Sequence, residues 1–160
     1  MFPISHFNIT RTPFYYYDKT LLSNTLAKLI RLAGERNYHI HYAVKANANP
    51  EILKLIAASG IGADCVSGGE IKAALEAGFP AKKIVFAGVG KADWEIEYAL
   101  EKKIFCFNVE SAEELSVIEE LAKKKENIAS IALRINPNID AHTHAVSYTH
   151  LRAHETPEHL

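Results

Sequence analysis

The sequence predicts an α/β fold assembled from repeated strand–helix units, and three observations carry that reading. Short runs rich in β-branched and aromatic residues alternate with stretches of helical periodicity. The strand ends recur at intervals of roughly 20–26 residues, the length of a βα unit. The strand runs are apolar without clean alternation, as expected when helices cover one face and a packed interior fills the other. Two architectures satisfy this pattern, an open doubly wound sheet and a closed (β/α)8 barrel. Both place chemistry at the C-terminal ends of their strands.

The elements follow in order. After the extended stretch Phe14-Tyr15-Tyr16-Tyr17, a helix begins near Asp18 or Thr20; Leu22, Leu26, Leu29, Ile30 and Ala33 form its stripe, and Gly34 ends it. His39 to Val44 is the first strand. Asn49-Pro50 opens the next helix, with asparagine as cap and proline in the first turn, and Ile52, Leu53, Leu55 and Ile56 face inward. Ala63 to Val66 is a strand, Glu70 to Ala77 a helix, and Gly78 its stop. Lys83 to Ala87 is a third strand, followed by a helix capped by Asp93. Ile104 to Phe107 is the fourth strand. Ser111 and Glu114 have capping-box spacing ahead of Leu115, Ile118, Leu121 and Ala122. Ile128 to Ile135 is the fifth strand.

Composition bounds the function. With 160 residues, a formal charge of −1 and 48% hydrophobic content, the chain supplies one compact domain and does not resemble a disordered one. A nucleic-acid partner is not expected, because no basic excess exists. A membrane partner is not expected either, because the apolar runs are strand-length. The N-terminus lacks a secretion signal, and Cys65 and Cys106 lack metal-ligand spacing. Two reduced thiols in a cytoplasmic protein are the expectation.

Polar residues and glycines collect where strands end: Lys45, Asp64, Ser67, Gly68, Gly69, Glu70, Gly88, Gly90, Lys91, Asn108, Glu110 and Arg134. Lys45 is the sharpest of these. It leaves an apolar strand, so its amine projects into the mouth; held partly away from water, a neutral amine attacks an aldehyde and forms a Schiff base. Gly68-Gly69 at a helix start could expose N–H groups to an anion, but a tight turn is the better reading. Gly88-Val89-Gly90 lacks the third glycine of a dinucleotide fingerprint. His142 and His144 have no evident carboxylate or cysteine partner, so no metal site is expected.

Six ordered blocks are familiar: Thr12 to Asp18, Tyr42 to Asn47, Gly62 to Glu70, Phe86 to Lys91, Phe107 to Ser111, and Leu133 to Pro137. They resemble the successive motifs of diaminopimelate decarboxylases, within the alanine-racemase-like group of pyridoxal-phosphate enzymes that includes ornithine and arginine decarboxylases. The resemblance implies a partial (β/α)8 TIM barrel, about the first five βα units, with pyridoxal 5'-phosphate as cofactor. Lys45 matches the lysine that holds the cofactor covalently. Asp64 and Glu70 match acidic residues near it, and Arg134 matches an arginine on the cofactor side. The implied reaction is decarboxylation of meso-diaminopimelate to L-lysine by a homodimer. Sister decarboxylases acting on ornithine, arginine or carboxynorspermidine, and a non-catalytic homologue, are the alternatives.

The resemblance covers residues 12–145, and the barrel portion is read as residues 1–145. A ring-stacking histidine, a glycine-rich phosphate loop, the acidic partner of the ring nitrogen and a C-terminal β-domain are implied by the family and absent from the sequence. An open five-stranded piece leaves an edge unpaired, so the segment alone is expected to aggregate or stay partly unfolded, without useful cofactor binding. The run Val146-Ser147-Tyr148-Thr149-His150-Leu151-Arg152-Ala153-His154-Glu155-Thr156 has neither strand nor helix period. It resembles the translation of a transposase-type sequencing adapter, so residues 146–160 are expected to be a non-native tail.

Overall fold

Five strands form one sheet in the computed structural model, which describes residues 4–135. They are β1 (His41–Ala43), β2 (Gly62–Cys65), β3 (Ile84–Phe86), β4 (Cys106–Val109) and β5 (Ile131–Leu133). All pairings are parallel, and the spatial order follows the chain, β1-β2-β3-β4-β5. A doubly wound sheet reverses its order at a switch point, and no reversal occurs here. The sheet is wound in one direction, as in a barrel, so the open alternative falls away. Four complete βα units and a fifth strand lie within the described residues.

The helices are α1 (Ile4–Phe7), α2 (Lys19–Gly34), α3 (Pro50–Ala58), α4 (Gly68–Glu76), α5 (Asp93–Lys102) and α6 (Ala112–Lys124). Their starts are set by side chains that satisfy free N–H groups. Asp18 accepts from Leu21 N–H at 2.9 Å, and Asn49 accepts from Glu51 N–H at 3.0 Å. Ser67 accepts from Glu70 N–H at 3.2 Å, and Ser111 from Glu114 N–H at 3.1 Å.

Alternation along the strands divides the sheet into two faces. Val44, Ala63, Cys65, Ile84, Phe86, Phe107 and Val109 are buried against Ile52, Leu53, Ile56, Ile71, Ile96, Leu100 and Ile118 from the helices. Each such side chain contributes on the order of 1.5–3 kcal/mol of burial. Phe86 and Phe107 sit on adjacent strands with ring centroids 6.1 Å apart. The register puts Ala43, Asp64, Val85 and Cys106 in one row of the opposite face. None of these four is fully buried, so that face is open.

Several expected boundaries shift for local reasons. Helix α5 is capped at Ala92, not Asp93: Glu95 reaches back to Ala92 N–H at 3.0 Å, which makes Asp93 the first helical residue. The fourth strand starts two residues late because Lys103 turns left-handed, with φ 52°, and Ile104 still closes the helix through Ala99 O. The fifth strand is shorter than Ile128 to Ile135, and its three residues are exposed. Helix α4 begins at Gly68 rather than Glu70. Cys65 is buried and Cys106 half-buried, both free. Asn136-Pro137, His142, His144 and residues 146–160 lie outside the described residues. Among the described residues no helix is long and apolar enough to cross a membrane.

Candidate functional site

The C-terminal ends of the five strands carry the candidate residues, and the first two ends differ from the last three. Strand β1 runs directly into a single 3-10 turn, Val44–Ala46. Val44 is buried and anchors the turn, while Lys45 stands exposed at the rim. Desolvation of this amine, expected from the sequence, is not seen, because the open face leaves it in water. Asn47 accepts from Asn49 N–H at 2.9 Å, and the Tyr42 hydroxyl donates to Asn47 O at 3.1 Å, so the segment after Lys45 is held from both sides.

Asp64 is the neighbour of Ala43 in the register, one strand over. Its Oδ1 is buried and has no hydrogen-bond partner among the described residues. Burial pushes the Asp64 carboxyl above the usual carboxylate range, opposed by the nearby charges of Lys45 and His41. An unpartnered buried acceptor is costly, and active sites are where such atoms collect. His41 lies lower on the same face, and burial holds its imidazole below the ordinary value. Its ring packs so close to Gly62 that a Cβ there would fall 2.3 Å from the His41 Cδ2 and 2.5 Å from the Lys83 carbonyl oxygen. Only glycine lets the ring lie across β2.

Glu70 sits in the first turn of α4, and its Oε2 accepts from Val66 N–H at 2.9 Å. It therefore braces the turn after β2. Gly68-Gly69 is no anion cradle at its first position: Gly68 N–H donates to the buried Glu95 Oε1 at 2.6 Å. A Cβ on Gly68 would meet the Trp94 ring at 2.9 Å, so the glycine serves close packing of α5 on α4. Burial pushes the neighbouring Cys65 thiol up to about 12, with Glu70 and Asp64 adding to the shift, so it is no nucleophile.

At the other three strand ends the polar groups are paired. Lys91, after β3, has a fully buried side chain. Its Nζ donates to Gly88 O at 2.7 Å, to Asn108 O at 2.9 Å and to Glu114 Oε1, and lies 5.4 Å from the Phe86 ring centroid. The second Glu114 oxygen accepts from Glu110 N–H at 2.9 Å, so the capping box expected with Ser111 is offset by one residue. The Glu110 carboxylate in turn receives the Arg134 Nη1, at 3.2 and 3.0 Å, and Arg134 N–H donates to Val109 O at 2.9 Å. Arg134 is half exposed, its partner nearly buried.

The structure thus brings Lys45 and Asp64 together, sets Glu70 beside them as a brace, and places Arg134 on the same rim at the far strand. Four strand spacings separate β1 from β5, on the order of 19 Å along the sheet. Sequence reading passed over Glu95 and gave Glu114 only a capping-box role with Ser111. The one available signal was their position, three residues into a helix that follows a strand end. Among the described residues no group of three or more histidine, cysteine or acidic side chains is placed to hold a metal.

Lys45 and Asp64 suit an aldehyde-bearing ligand, with an amine that can condense with the aldehyde and an unpartnered acceptor on the adjacent strand end, while Arg134 offers a half-exposed cation farther along the same rim. A family model described as the pyridoxal binding domain of pyridoxal-dependent decarboxylases matches residues 23–154. The chain is 62% identical over 146 residues to the diaminopimelate decarboxylase of Bacteroides thetaiotaomicron, covering 91% of this chain and 38% of that protein. It is similar to the Helicobacter pylori diaminopimelate decarboxylase crystallised with L-lysine, at 45% identity and TM-score 0.77, over 89% of this chain and 36% of that one. The M. jannaschii enzyme in co-complex with L-lysine aligns at 37% identity and TM-score 0.83, over 94% and 36%. The chain spans a little over a third of the length of these relatives.

Proposed function

The chain belongs to the pyridoxal-dependent decarboxylase family, and from that premise we propose that it is the N-terminal part of a diaminopimelate decarboxylase. The observation that carries the reading is the pairing of an exposed lysine with an unpartnered buried carboxylate oxygen on adjacent strand ends. The substrate is meso-diaminopimelate, the products L-lysine and carbon dioxide, and the intact protein is a homodimer.

In this reading Lys45 is the point of covalent attachment for pyridoxal 5'-phosphate. When bound, the cofactor supplies the electron sink that stabilises the carbanion left by loss of carbon dioxide. Asp64 offers its free oxygen as a hydrogen-bond acceptor on the strand end beside Lys45. Arg134 brings a positive charge to the anionic side of the ligand. Glu70 joins the cofactor-binding group through the turn after β2, which it holds in place. Residues 146–160 take no part, as a non-native tail; source codons unlike those of the adapter would remove that point.

The test is the full-length protein and its Lys45→Ala variant, assayed for lysine formation and for the visible absorbance of bound cofactor. The variant is expected to lose the absorbance and turnover by about 10³-fold or more. A variant that keeps both sinks the assignment. Sedimentation of the full-length protein checks the dimer.

A further inference from the structure

The Lys91 side chain is fully enclosed, and neither the motifs nor the proposed chemistry gives it a task. A lysine with no exposed side-chain surface is rare unless its charge is matched and its three protons are placed. Here all three are placed, on Gly88 O, Asn108 O and Glu114 Oε1. These acceptors belong to the segment after β3, the end of β4 and the first turn of α6, which Lys91 ties into one unit.

The tie continues outward. Glu114, held by Lys91 through one oxygen, uses the other to fix Glu110 N–H. Glu110 then presents both carboxylate oxygens to Arg134, whose own N–H is fixed on Val109 O. The path runs from a buried ammonium to an exposed guanidinium without a gap. Arg134 is the member with free surface, since about half its side chain is open while that of Lys91 is enclosed.

We infer that Lys91 is a positioning residue: acting through Glu114 and Glu110, it fixes the direction in which Arg134 presents its charge at the rim. The inference rests on the reading of Arg134 as a cofactor-side group. It adds to that reading a residue on the helix side of the sheet, where it touches no ligand. A guanidinium aimed in advance loses less freedom when an anion arrives, so loosening its support weakens binding without removing any contact.

The test is a double-mutant cycle in the full-length protein, reading the Kd of pyridoxal 5'-phosphate added to the cofactor-free form. The four proteins are wild type, Lys91→Met, Arg134→Met and the double variant, each with a thermal melt as a fold control. Because Lys91→Met strands Glu114 and can unfold the protein, Lys91→Met with Glu114→Met is carried through the same cycle as a charge-free pair. The expected result is a Kd raised about tenfold by loss of Lys91 when Arg134 is present, and about twofold or less when Arg134 is already methionine. Equal weakening in both backgrounds overturns the inference, because a merely structural lysine acts regardless of Arg134. A Kd unmoved by Arg134→Met overturns the cofactor reading of Arg134 together with it.

Discussion

The rim of the sheet has two halves of opposite character. After β1 and β2 stand an exposed lysine and a carboxylate with a buried, unpartnered oxygen. After β3, β4 and β5 every charged group named at the site has a partner, from the enclosed Lys91 to Arg134, whose Nη1 is shared between both Glu110 carboxylate oxygens. Where atoms are left unsatisfied the fold gives up stability and keeps chemical capacity; where they are satisfied it gains rigidity. Under the proposed function this is a division of labour, with one half to react and the other to hold. Substitutions should therefore damage stability in the second half and ligand chemistry in the first.

The largest effect expected in the holding half comes from Lys91→Met. It removes one partner of an enclosed ion pair and leaves Glu114, itself 13% exposed, facing the unmatched carbonyls of Gly88 and Asn108. Breaking such a pair from one side costs about 3–5 kcal/mol. Urea unfolding of the full-length protein measures it, and a loss below about 1 kcal/mol would mean that the half called rigid is as loose as the other.

A smaller loss is expected from Glu95→Ala. This buried carboxylate receives Gly68 N–H at 2.6 Å and Ala92 N–H at 3.0 Å, so it closes the starts of two helices at once. The substitution orphans both donors, at a cost of about 2–4 kcal/mol in all. Hydrogen exchange should locate the damage, with protection falling in the first turns of α4 and α5 and holding in α3. Uniform loss across the helices would show that Glu95 has no local task.

These two carboxylates also mark where the sequence stops being legible. Lys45 could be found because a strand, a motif and a rim position coincide within a few residues. The caps at Asp18, Asn49 and Ser111 are local too, which is why those helix starts were readable, whereas the Ser67 cap starts α4 two residues ahead of the expected Glu70. Glu95 meets Gly68 across 27 residues, and Lys91 meets Glu114 across 23. Only the parallel, sequential order of the strands brings those pairs together, and periodicity alone left that order open. Asp93 was read as a cap because aspartate favours that role; Glu95, longer by one methylene and two residues on, reaches the free N–H instead. The orphan oxygen of Asp64 lies beyond any sequence signal, because it depends on which neighbours are missing.

The smallest effect, and the one of opposite sign, belongs to Asp64 in the reactive half. Burial raises its carboxyl pKa above the unfolded value, against the weaker pull of Lys45 and His41. A folded state that holds a proton more tightly than the unfolded chain loses stability when that proton leaves. The loss is absent below the ordinary carboxylate range, grows as pH rises through the raised folded value, and is complete above it. Asp64→Asn has no proton to lose. It should therefore melt like wild type in acid and slightly higher than wild type at neutral pH, in cofactor-free protein, while its affinity for pyridoxal 5'-phosphate falls. A neutral-pH melt lower than wild type would show that the Asp64 charge stabilises the fold, and the contrast between a reactive half and a holding half would then fail at its central residue.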